Sequence, residues 1–142
     1  MNSTLRRSRA LSSPWVALLL GALAITAWAA GDLTLTGANE VPAVTTTASG
    51  SGRITVAGDG AVSGSVKTTG IAATMAHIHV GAAGKNGPVI VPLSKGADGS
   101  WTVPAGAKLT AEQMKSYQAG ELYVNVHSDA HKGGEIRAQL TP

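Results

Sequence analysis

The chain has 142 residues, no cysteine, no phenylalanine and 18 glycines, with 11 Lys and Arg against 8 Asp and Glu for a formal charge of +3. That length supports one domain with a modest core. The missing cysteines exclude a disulfide framework, a thiol nucleophile, an iron–sulfur cluster and a thiolate zinc site. Arg6, Arg7 and Arg9 carry the whole charge excess, since without them 8 basic side chains face 8 acidic ones. The body of the chain therefore has no electrostatic basis for binding nucleic acid.

The first segment reads as a targeting sequence. Basic residues up to Arg9 precede an apolar run from Trp15 to Ala30, and Ala27-Trp28-Ala29 has the small-x-small pattern of a cleavage site. Residues 1–29 are expected to be a signal peptide. The alternative is an uncleaved anchor, although about 16 apolar residues fall short of the roughly 20 that span a bilayer as a helix. Residues 30–142 are then the mature domain, expected in the periplasm or secreted, without a membrane partner, and monomeric or homodimeric.

From Asp32 onward, short alternating runs between glycine-rich turns predict strands rather than helices. Leu33 and Leu35 alternate with Thr34 and Thr36 ahead of a polar segment ending at Pro42. Arg53 to Ala57 and Ala61 to Thr69 form a hairpin across Gly58-Asp59-Gly60. Met75 to Val80 is the next strand, followed by a loop from Gly81 to Pro88. Val89 to Leu93 and Gly99 to Val103 flank a turn over Ser94 to Asp98. One helix interrupts the pattern over Ala111 to Gln118, capped by Thr110 with Gln113 completing a capping box and Gly120 as its stop. Strands Glu121 to His127 and Glu135 to Leu140 close the chain around a turn from Ser128 to Gly134. Seven or eight short strands predict an all-β fold, an immunoglobulin-like or Greek-key sandwich or barrel with one short helix.

The four histidines fall at two places. His77 and His79 are i and i+2 in one strand and so share a face, with Ile78 and Val80 pointing to the core. The same alternation sends Leu122, Val124 and Val126 inward and Tyr123, Asn125 and His127 outward. If the two strands are neighbours, His127 reaches the His77/His79 pair, and His131 can fold back from the glycine-bearing turn. Neutral imidazoles suit copper, zinc, nickel and iron. His77, His79, His127 and His131 are thus the candidate metal ligands, with a copper ion preferred and zinc, or no metal, as the alternatives.

Met75 shares the face of His77 and His79 and would tilt the preference toward copper, unless it only fills a packing gap. Asp129 and Glu135 are candidates to orient the imidazoles, the alternatives being that Asp129 caps its own loop and Glu135 pairs with Arg137 or Lys132 in solvent. No serine has a nucleophile-elbow setting and no carboxylate pair has acid–base spacing, so no catalytic residue is assigned. The 81–87 loop lacks the Lys-Ser/Thr ending of a phosphate loop.

Leu35-Thr36-Gly37-Ala38-Asn39-Glu40-Val41-Pro42, the Ala76-His77-Ile78-His79-Val80-Gly81 strand with Gly87-Pro88, and Tyr123 to Ser128 with Gly133 to Leu140 together resemble the CHRD domain. That module is named for its occurrence in chordin and is also found as a stand-alone secreted bacterial protein. The resemblance runs from about Leu33 to Leu140 and implies an extracellular or periplasmic β-rich domain. Its His-x-His strand is similar to the copper-ligand strand of Cu,Zn superoxide dismutase, which by analogy makes His77 and His79 a ligand pair and His127 the distant third. The long zinc loop, the two cysteines and the zinc-ligand aspartate of that enzyme are missing here. Three functions follow as expectations: metal binding by a secreted domain, a metal-independent protein-interaction module using Asn39 to Pro42 and His127 to Gly134, and a dismutase-like redox enzyme.

Overall fold

The computed structural model describes residues 31–142 together with the backbone of Ala27–Trp28; the rest of the expected signal segment lies outside the described residues. In chain order the elements are β1 (Ala27–Trp28), β2 (Leu33–Leu35), β3 (Ser49–Ala57), β4 (Val62–Thr69), β5 (Ala73–Val80), β6 (Val89–Pro92), β7 (Ser94–Lys95), β8 (Ser100–Thr102), α1 (Ala111–Gln118), β9 (Leu122–Ser128) and β10 (Ile136–Leu140). One sheet runs β1-β3-β4-β8-β7, with β2 also on β3, and the other runs β10-β9-β5-β6. All registered pairs are antiparallel. The fold is thus an all-β sandwich with one short helix.

Alternation builds the interior. Ile54, Val56 and Val66 from the first sheet meet Ile78, Val124, Val126 and Ile136 from the second in one buried cluster. Burying each such side chain contributes about 1.5–3 kcal/mol. The sheets are also joined at their edges. Thr36 and Arg137 exchange backbone hydrogen bonds of 3.1 and 3.0 Å, and the chain leaves β6 through buried Leu93 to enter β7 in the opposite sheet. The helix forms where its capping box predicts: Gln113 N donates to Thr110 Oγ1 at 3.2 Å, and Thr110 N donates to Gln113 Oε1 at 2.9 Å. Its Tyr117 is buried in the core.

Three expectations need correcting. Ser94 and Lys95, expected in a turn, pair as β7 with β8. β3 starts at Ser49, ahead of Arg53, because Ser49 to Gly52 is paired with β4 on one side and, over Gly50 to Gly52, with β2 on the other. Ladder pairing on both flanks outweighs the weak strand propensity of Ser and Gly. In β9, every residue from Leu122 to Ser128 is buried, including Tyr123, Asn125 and His127, which alternation places on a non-core face. Over β9 the outer face of the second sheet is therefore covered by other parts of the chain.

Candidate metal centre

Strands β5 and β9 are neighbours, with Met75 opposite His127, His77 opposite Asn125 and His79 opposite Tyr123. That register places His77, His79 and His127 on one face, and their ligand nitrogens all lie within 4.8 Å of one another. His77 Nδ1 and His127 Nε2 are 3.0 Å apart. Two nitrogens bound at about 2.0 Å to one metal with an angle of 90–110° lie roughly 2.9–3.3 Å apart, so this pair already has the spacing of two ligands.

The hydrogen-bond partners fix the tautomers. His79 Nδ1 donates to Gly87 O at 2.9 Å, and His127 Nδ1 donates to Lys132 O at 2.9 Å. A carbonyl only accepts, so both rings carry their proton on Nδ1 and present a lone pair at Nε2. His79 Nε2 is buried and has no partner. His77 Nδ1 then donates to His127 Nε2, and that shared proton sits where an ion would be shared. The orienting acceptors are backbone carbonyls, and not the side chains of Asp129 or Glu135.

Charge also favours ligation. Burial holds His77 below its ordinary value of 6.5, and the neighbouring His127 and His79 add to the effect. His79 and His127 are likewise lowered by burial, against the opposing influence of their carbonyl partners. Three neutral imidazoles at pH 7 each keep one lone pair, and His77 presents its own at Nδ1 once its proton moves to Nε2, which also frees His127 Nε2.

His131 does not join the converging group. The turn holding it is tied back by His131 N to Ser128 O at 3.2 Å and Gly134 N to His131 O at 3.1 Å. What this turn gives the site is the Lys132 carbonyl. Glu135 is buried, which would raise its carboxyl, but bonds from Ser128 and Thr46, with His131 nearby, hold it below the usual range. It is therefore engaged inside the fold and does not pair with Arg137 or Lys132 in solvent.

A buried polar layer, missed by the reading of alternation, supports the histidines. The Tyr123 ring stacks on His79 at 4.7 Å and 5° between planes. Arg137, only 1% exposed, lies 3.4 Å above the Tyr123 ring. Its guanidinium donates to Lys85 O at 2.9 Å, Ala82 O at 3.0 Å and Gln139 Oε1 at 3.1 Å, which pins the 82–86 loop over the sheet. That loop leads to Gly87, where a Cβ would overlap the Val80 carbonyl oxygen. No larger residue could bring its carbonyl to His79 here. Glu40, 4% exposed, lies beyond Asn125, and its pKa rises from 4.5 to about 7 because burial outweighs the pull of Arg137. Gly134 (φ 126°) passes so close that a Cβ would overlap Glu40 Oε1.

Fold and site define a class: an antiparallel β-sandwich with three converging imidazoles on the outer face of its four-stranded sheet, a group able to hold a metal ion. The model of the CHRD domain matches residues 32–140, and the chain belongs to that family. Comparison with curated proteins gives no match, and comparison with solved structures gives none.

Proposed function

We propose that this chain is an exported CHRD domain that binds copper through His77 Nδ1, His79 Nε2 and His127 Nε2. The observation that carries the reading is the commitment of the His79 and His127 Nδ1 protons to backbone carbonyls, which aims two lone pairs toward the His77 ring. None of the three histidines is part of the buried hydrophobic cluster. Copper is preferred over zinc because an all-imidazole set suits both, while Cu(II) stands highest in the divalent affinity order. Export rests on the basic and apolar pattern of residues 1–29. No helix among the described residues is long and apolar enough to cross a membrane.

The test is metal analysis of untagged protein, then titration of Cu(II), Cu(I) and Zn(II) into wild type and the His77→Ala/His79→Ala variant. A tight stoichiometric site that the double substitution abolishes supports the proposal. Equal binding by both proteins refutes it. Superoxide turnover by the copper-loaded protein would extend the role to redox catalysis.

A further inference from the structure

Among the described residues, the exposed large hydrophobics are Met75 and Val89, each 48% exposed. Both border the histidine centre. Met75 is the cross-strand partner of His127, and Val89 is the partner of His79 on the other side of β5. An exposed thioether at this position does not fill a packing gap in the core.

We infer that Met75 is the fourth ligand of the centre and lets it hold Cu(I) as well as Cu(II); the inference rests on the metal reading above. Directly opposed residues of an antiparallel pair have Cβ atoms about 4.5–5.5 Å apart, within the reach of an unbranched side chain with three rotatable bonds. Met75 is also two residues from His77 on the same strand face. It therefore flanks both members of the pair whose nitrogens are 3.0 Å apart. The three imidazoles leave room for another donor, and His131 does not supply it. Thioether sulfur is a soft donor that favours Cu(I). The competing donor is Asn125 Oδ1, which is buried without a hydrogen-bond partner opposite His77. An amide oxygen is hard and would not favour Cu(I).

The full-length protein and its Met75→Leu variant are titrated anaerobically with Cu(I) against a chromophoric Cu(I) chelator, and separately with Cu(II) followed by electron paramagnetic resonance. Copper X-ray absorption reports sulfur in the ligand shell. Leucine matches methionine in volume at an exposed position, and circular dichroism confirms that the fold is kept. We expect Met75→Leu to weaken Cu(I) binding by about tenfold or more, to change Cu(II) binding by less than about threefold, and to remove a sulfur scatterer from the Cu(I) spectrum. Tight copper binding by both proteins with equal Cu(I) affinity and no sulfur scatterer overturns the role of Met75 and leaves the three-imidazole site standing. Failure of wild type to bind either copper ion overturns both.

Discussion

Replacing Glu40 by Gln should change how stability depends on pH, with a sign the structure fixes. In the fold the Glu40 carboxyl has its pKa raised from 4.5 to about 7, first by burial, against the lowering influence of Arg137 and Asn125. Between those two values the native state keeps a proton that the unfolded chain has released. The native state therefore binds more protons, and the contribution of Glu40 to stability falls as pH rises through this window. Each tenfold difference in proton affinity between the two states corresponds to about 1.4 kcal/mol, so the loss reaches about 3 kcal/mol by pH 8.

The amide introduced by Glu40→Gln resembles the protonated carboxyl in shape and charge, so the variant should exceed wild type by no more than about 1 kcal/mol near pH 5 and by up to about 3 kcal/mol at pH 8. In melting temperature that is a difference on the order of 10 °C for a domain of this size. His77, His79 and His127 act in the opposite sense. Their pKa values are lowered in the fold, so their contribution is complete above about 6.5 and is lost as pH falls below it. Both proteins share that effect, and the difference between them isolates Glu40. The assay is urea unfolding of the metal-free proteins at half-unit steps from pH 5 to 8. A Glu40→Gln difference that stays constant over the range refutes the reasoning.

Arg137→Lys keeps the charge but loses the planar fork that reaches Lys85 O, Ala82 O and Gln139 Oε1. It should cost about 2–4 kcal/mol in urea unfolding and speed amide exchange around residues 82–87; unchanged exchange would show that the loop does not depend on the guanidinium. Gly87→Ala places a Cβ onto the Val80 carbonyl oxygen and should destabilise by ~3 kcal/mol or more, with copper affinity reduced as the His79 acceptor moves. Wild-type stability in that variant would contradict the packing described. Uptake of Cu(II) at pH 7.5 should release fewer than about one proton, because burial keeps the imidazoles neutral before the ion arrives. Calorimetry in buffers of different ionisation enthalpy checks this, and release of two or three protons would mean that the histidines start out charged.

The strand rhythm, the helix with its cap and the shared face of His77 and His79 were legible because each depends on residues near one another in sequence. Alternation fixes a face locally, and Thr110 and Gln113 form a box three residues apart. The adjacency of β5 and β9 is a different matter. His77 and His127 are 50 positions apart, and their contact requires a pairing register that no local pattern specifies. The register also decides which histidine is left out, since His131 lies in a turn whose geometry follows from its own backbone bonds.

Alternation further equates a non-core face with solvent, and here that equation fails for a reason visible in individual residues. Arg137 looks like a solvated strand residue, yet the 82–86 loop folds over it and supplies carbonyls for its donors. Glu40 sits in a polar segment, yet close passage at Gly134 encloses it. The signal available in the sequence was the glycine-rich 81–87 loop, which permits backbone to lie flat on side chains where a larger residue would stand it off. This cover is inseparable from the chemistry of the site. By taking His79 and His127 out of water it lowers their pKa values, and by bringing Gly87 O and Lys132 O onto their Nδ1 atoms it orients the lone pairs. A His-x-His pair on an open sheet would have neither property, so the covering segments belong to the candidate centre as much as the imidazoles do.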